Sequence, residues 1–201
     1  MRRVVLASSN AGKLAELRAL LADGGFELRP QSEFGVAPIE ETGATFAANA
    51  LLKARHAATV TGLAALADDS GLEVDALDGA PGVYSARYAG PAASDEQNNA
   101  KLLAALAGRE RPHAARYRCV IAYVEHARDS APVLCAGSWE GAIASAPRGH
   151  GGFGYDPLFL VAGDAAARTA AELAPEEKNR CSHRAQALTE LRSALQKRRA
   201  S

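Results

Sequence analysis

The chain has 201 residues, 48% of them hydrophobic, and its 23 basic and 23 acidic side chains leave no net charge. That balance excludes the broad positive field by which proteins gather nucleic acid or anionic membrane, so an anionic ligand must be small and locally held. No run reaches transmembrane length, Val4 to Ala7 is too short for a signal-peptide core, and Cys119, Cys135 and Cys181 lack disulfide or zinc spacing. These features fit one domain spanning residues 1–201, in a reducing cytoplasm, with neither nucleic acid nor membrane as partner.

Val4 to Ala7 reads as a short buried strand running into the turn Ser8-Ser9-Asn10-Ala11-Gly12-Lys13. Leu14, Leu17, Leu20 and Leu21 then recur at helical spacing, with Gly24-Gly25 as the stop. Phe26 to Arg29 forms a second short strand, and residues 30–44 a loop holding Glu40-Glu41-Thr42-Gly43. Thr45 caps a second helix. On it Phe46, Ala50, Ala54, Ala57 and Ala58 make a small-residue packing face, while Thr45, Asn49, Lys53 and His56 make a polar stripe equally readable as a solvated face.

Leu63 to Ala67 is a strand that gives way to a turn at Asp68-Asp69-Ser70-Gly71. Residues 78–93, rich in Gly, Pro and Ala, read as an irregular or lid-like connection. Ser94 and Gln97 match a capping box for a helix carrying Leu102, Leu103 and Leu106, with Gly108 near its end. Arg116 to Glu125 and Val133 to Ala144 read as longer strands that pair antiparallel in a second lobe. A glycine-rich aromatic loop, Gly151 to Pro157, enters the apolar run Leu158 to Val161. Ala170 to Leu173 and Pro175 to Asn179 are short helical segments, and Ser182 caps a last helix packed through Leu188, Leu191 and Leu195.

Adjacent carboxylates at a strand end are where metal and water chemistry is sought, although Asp-Asp-Ser-Gly is also ordinary turn composition. The turn from Ser8 to Lys13 offers hydroxyls, an amide, a glycine and an ammonium at a helix N-terminus, which suits an anion; plain capping by Ser9 or Asn10 needs no ligand. A phosphate-loop ATPase is excluded there, because Gly12-Lys13 is followed by Leu14 and lacks the first glycine and the hydroxyl of that motif. Only five basic residues are lysines, Lys13, Lys53, Lys101, Lys178 and Lys197, so a compact charge suited to phosphate oxygens is used sparingly, while Lys101 and Lys197 read equally as solvated surface lysines. Glu41, Asp68 and Asp69 supply the oxygen donors magnesium takes beside a phosphate, if the fold brings them together. Lys178, His183 and Arg184 form a basic cluster, and Phe153 to Asp156 offers rings on which a base could stack.

The chain resembles the inosine/xanthosine triphosphate pyrophosphatases, also called non-canonical purine NTP pyrophosphatases. The likeness spans nearly the whole length in seven ordered blocks: residues 6–13, 40–46, 49–54, 67–72, 82–88, 153–159 and 182–184. It implies an α/β fold with an elongated mixed sheet flanked by helices, two lobes, a central nucleotide-binding cleft and a homodimer. It implies magnesium-dependent hydrolysis of ITP, dITP or XTP, the small-molecule substrate, between the α and β phosphates. Carried onto matching positions, Ser8, Ser9, Asn10, Ala11, Gly12, Lys13 and Lys53 hold phosphates, Glu41 and Asp69 take the ion, Asp69 also accepts the proton, and Ser70 touches substrate. Asp68 orients Asp69 or a water. Phe153, Gly154, Tyr155, Asp156, Lys178, His183 and Arg184 hold the nucleoside, with Phe153 stacking on the base. The competing readings are a septum-related pyrophosphatase acting on other nucleotides and a catalytically silent nucleotide-binding regulator.

Overall fold

The computed structural model describes residues 2–21 and 25–200. Among the described residues, six strands form one mixed sheet in the order β2-β1-β3-β4-β5-β6, accompanied by five α-helices. Strands β1 (Arg2–Leu6), β2 (Phe26–Pro30) and β3 (Ala64–Val74) are parallel neighbours, and β6 (Phe159–Val161) runs antiparallel to β5 (Val133–Ile143). Strand β4 (His113–Val124) lies between β3 and β5. The α/β expectation is met. Gly24, half of the expected helix stop, lies outside the described residues; Gly25 is left-handed at φ 71°. Among the described residues no helix is long and apolar enough to cross a membrane.

Two compact units divide the chain. The first holds Met1–Asp69, Cys119–Gly137 and Arg184–Ser201; the second holds Ser70–Arg118 and Ser138–His183. In the first unit, strand alternation sorts side chains onto two faces. Val4, Leu6, Ala64, Leu66, Cys119, Ile121 and Tyr123 point to a core shared with α1 (Ala11–Leu21) and α5 (His183–Ala200), through Leu17, Leu21, Leu188, Leu191 and Leu195. Val5, Ala7, Ala65, Ala67, Ala122 and Val124 point the other way, against α2 (Phe46–Thr61). There alanines meet alanines, Ala50, Ala54, Ala57 and Ala58 on the helix against Ala65 and Ala67 on β3, so helix and sheet approach closely. The Thr45 hydroxyl accepts from the Ala48 N–H at 3.1 Å and caps α2, as its sequence predicts.

The second unit packs Leu72 and Val74 of β3 with Leu102 and Leu106 of α3 (Asp95–Leu106) and with Tyr117, Trp139, Tyr155, Leu158 and Phe159. Ser94 and Gln97 complete the expected capping box on α3. Of the two readings of residues 78–93, the irregular one fits the short helical turn Gly82–Arg87 and its flanks, which are tied down: Ser85 Oγ accepts from the Leu72 N–H at 2.9 Å, and Asn98 holds both Ala89 N and Ala86 O. A short helix α4 (Pro175–Cys181) starts on Pro175, where a missing N–H costs nothing.

Strand β3 departs from expectation most. It does not end in a turn at Asp68 but continues through Asp68-Asp69-Ser70-Gly71 to Val74. Turn-forming residue types are overridden there by burial: Ala67, Asp68 and Asp69 are all buried, and Leu72 and Val74 further along have no solvent exposure.

Because α2 sits on alanines at no solvent exposure, Ala54→Leu should overpack this layer and cost about 1–3 kcal/mol, read as a lower urea midpoint with an unchanged slope.

Candidate active site

The strand order β2-β1-β3 makes β1 a switch point: α1 leaves it on one face of the sheet toward β2, and α2 returns on the other face to β3. Ligands of open α/β sheets gather at the carboxyl ends of strands beside such a point. The end of β1 and the Asp68-Asp69 step of β3 are adjacent here, with the Ala7 N–H donating to Leu66 O at 2.8 Å.

The turn after β1 is built as an N-cap. Asn10 Oδ1 accepts from the Lys13 N–H at 2.9 Å, and Ser8 Oγ accepts from the Asn10 N–H at 3.3 Å. The helix therefore starts at Ala11, and Gly12 and Lys13 stand in its first turn, at the positive end of its dipole. Ser9, Asn10 and Ala11 are exposed there, with Ser8, Gly12 and Lys13 half-buried.

Alternation along β3 then sends the two aspartates to opposite faces. Asp68 follows Leu66 toward α1 and α5, where Lys13 Nζ lies 3.3 Å and Arg184 Nη2 3.1 Å from Oδ2. Arg184 also bonds Glu16 of α1 through Nη1. Two cations and two carboxylates thus meet, with Asp68 and Arg184 fully buried and Lys13 and Glu16 half-buried. Burial alone would raise the Asp68 carboxyl, but Lys13 and Arg184 outweigh it and hold it well below the usual carboxylate range.

Asp69 follows Ala67 toward α2. Lys53 Nζ donates to Asp69 Oδ1 at 2.9 Å and to Glu41 Oε1 at 2.6 Å, while Asn49 Nδ2 donates to Asp69 Oδ2 at 3.2 Å. Burial leads in raising the Asp69 carboxyl above its ordinary value, with Glu41 adding to it, against Lys53 and Lys13. For Lys53 burial works downward, yet Asp69, Asp68 and Glu41 together keep its ammonium protonated with a raised value. Glu41 and Asp69 therefore present carboxylates side by side, the donor set magnesium takes beside a phosphate. Among the described residues no three His, Cys, Asp or Glu side chains gather into a closed metal cage.

A separate cluster organises the second unit around Asp156. Its carboxylate accepts from Tyr117 OH at 3.0 Å, from Lys178 Nζ at 2.5 Å and from the Phe153 N–H at 2.9 Å. Lys178 Nζ also stands 4.8 Å from the centre of the Phe153 ring. His183 stacks on Tyr117 at 4.8 Å and 11°. Gly152 is obligatory: its φ is 73°, and a Cβ there would meet Asp156 Oδ2 at 2.0 Å.

The profile of the Ham1 family matches residues 4–194. The chain belongs to the Ham1 family. A protein of Methylococcus capsulatus named dITP/XTP pyrophosphatase is 58% identical over 96% of each chain. One of the same name from Thioalkalivibrio sulfidiphilus is 57% identical over 98% of this chain and all of its own. Among solved structures, a HAM1 protein from Coxiella burnetii superposes with a TM-score of 0.89 at 54% identity, covering 98% of this chain and all of that one.

Within this Ham1 chain, the fold brings Lys13 and Asp68 together, and likewise Glu41, Lys53 and Asp69. Phe153, Asp156, Lys178 and His183 fall in one cluster of the second unit, and Ser70 lies half-buried one residue beyond Asp69. Three placements differ from the expectation. Tyr155 packs into the core, 4% exposed, and its hydroxyl donates to Ser85 O at 2.8 Å, so its ring is a packing group. Gly154 lends its backbone to α3, its N–H donating to Asp95 and its carbonyl accepting from Asn99. Arg184 belongs to the first unit, bonded to Asp68 and Glu16. Glu16 and Tyr117 are participants that sequence reasoning missed, and the sequence places Asn49 on a polar stripe without a role. Position 49 did carry a signal: residues 46, 49, 50, 53, 54, 57 and 58 form one helical stripe, with Asn49 and Lys53 on the packing face.

Asp68→Asn removes the charge that buried Arg184 and half-buried Lys13 share and should destabilise the fold by about 3 kcal/mol at neutral pH. Because the folded carboxyl is depressed, its contribution is complete above the ordinary Asp value of about 4 and is lost as pH falls below it. Urea unfolding of both proteins at pH 7 and pH 3 should show the gap shrinking in acid.

Proposed function

We propose that the chain hydrolyses hypoxanthine- and xanthine-bearing nucleoside triphosphates, ITP, dITP and XTP, to the monophosphate and pyrophosphate, clearing them from the nucleotide pool. The observation that carries this reading is the convergence of Glu41 and Asp69 on one lysine beside the N-terminus of α1. The relatives named dITP/XTP pyrophosphatase support the substrate class.

Charge bookkeeping favours a divalent cation as a participant. Lys13, Lys53 and Arg184 face Glu16, Glu41, Asp68 and Asp69, three positive groups against four negative, which by themselves repel a triphosphate. Glu41 and Asp69 would hold Mg2+, which when bound neutralises phosphate charge and acidifies water. Lys13 and the first turn of α1 receive phosphate oxygens, and Lys53, kept protonated, adds a second cation once a phosphate competes for it. Asp69 accepts the proton of the attacking water. An exposed Asp is a feeble base near neutrality; the raised Asp69 carboxyl narrows that gap.

In the second unit, Phe153 supplies the stacking ring, and Lys178 and His183 supply donors that a 6-keto purine satisfies and a 6-amino purine does not. A single family match from residue 4 to 194 supports treating the two units as one catalytic domain. A reducing, cytoplasmic setting is supported by three cysteines whose spacing suits neither a disulfide framework nor a zinc site, and the expectation of a homodimer rests on the family likeness alone.

With Mg2+, a panel of nucleoside triphosphates assayed for pyrophosphate should place ITP or XTP at least about tenfold above ATP in kcat/KM. Comparable ATP turnover would sink the base assignment, and release of orthophosphate the bond assignment. Asp69→Asn should lower kcat by about 100-fold or more, and chelating the metal should stop the reaction. Saturable ITP binding with no release would point to a silent regulator.

A further inference from the structure

Asn49 has no solvent exposure, yet it is a polar residue on the packing stripe of α2. A buried amide needs partners, and this one finds them in two working parts of the site. The Gly43 N–H donates to Asn49 Oδ1 at 2.7 Å, and Asn49 Nδ2 donates to Asp69 Oδ2 at 3.2 Å. Since a backbone N–H can only donate, the amide has one orientation, oxygen toward Gly43 and nitrogen toward Asp69. Gly43 lies two residues after Glu41 and approaches so closely that a Cβ on it would stand 2.6 Å from Asn49 Oδ1 and 2.8 Å from Ala48 Cβ.

We propose that Asn49 is a positioning residue of this site, fixing the rotation of the Asp69 carboxylate and tying the Glu41 loop to it. The inference rests on the pyrophosphatase reading above. Asp69 has two oxygens with different partners: Oδ1 takes Lys53 and Oδ2 takes Asn49. Lys53 is a mobile ammonium shared with Glu41, and phosphate oxygens compete for it when substrate enters. The amide is neutral, buried and held by main chain on its far side, so it keeps its hold on Oδ2 throughout. Serine would be too short to span both contacts, and aspartate would set an acceptor against a carboxylate.

A residue acting through Asp69 should alter turnover more than binding, and only while Asp69 is there to be positioned. Pyrophosphate release from XTP and Mg2+ is measured for wild type, Asn49→Ala, Asp69→Asn and the double variant, with rates scaled to the folded fraction from thermal melts. Misplacement of a reacting group by about 1 Å costs on the order of 100-fold, so Asn49→Ala should lower kcat by about 10- to 100-fold while KM moves less than about threefold. In the Asp69→Asn background the same substitution should change kcat by less than about twofold. An equal loss in both backgrounds, or full turnover in Asn49→Ala, overturns the positioning role. If Asn49→Ala does not fold, Gly43→Ala, which presses on the amide from its far side, is read in the same two backgrounds. A wild type that releases no pyrophosphate from XTP or dITP ends the pyrophosphatase reading and this one with it.

Discussion

The site depends on one geometric constraint, the two-residue period of an extended chain applied to adjacent aspartates. Had Asp68 and Asp69 stood in a turn, both carboxylates would have shared solvent and cations. On a continuous strand they are sent to opposite faces, each into a different packing environment. Asp68 joins α1 and α5, where its charge is matched by Lys13 and Arg184. Asp69 joins α2, where burial and Glu41 act against Lys53. Identical side chains thus acquire opposite shifts, one held ionised among cations and one raised by burial.

Small side chains make the second environment possible. An alanine layer between α2 and the sheet lets the helix come close enough for Asn49 and Lys53 to reach a carboxylate on β3. Larger residues there would hold the amide and the ammonium away from Asp69. The low bulk of this face is therefore a requirement of the site as well as of packing, and it places the polar side chains in a layer where each must be bonded to be tolerated.

Asp156 plays the corresponding role in the second unit. It gathers a phenol, an ammonium and a backbone N–H, and through them sets Phe153, Lys178 and the ring on which His183 stacks. The glycine before Phe153 exists because the carboxylate occupies the space a side chain would need. A loop rich in glycine is here shaped by one buried anion.

The sequence by itself determined the α/β pattern, the caps at Thr45 and Ser94, the helical turn ending in Lys13 and the residue types needed for phosphate and metal, because these are set by local spacing and by the side chain's own chemistry. It left open whether Lys53 faced solvent and whether Glu41 met the aspartates, and it favoured a turn at Asp68, since Asp, Ser and Gly are turn formers until burial on both faces overrules them. Tyr155 and Arg184 were legible as an aromatic and a cation, but their partners, Ser85 in one case and Asp68 with Glu16 in the other, lie 70 and more than 100 residues away along the chain. Only the tertiary structure decided which carboxylate each cation would neutralise, because burial and charge pairing are properties of neighbours that no local stretch of sequence specifies.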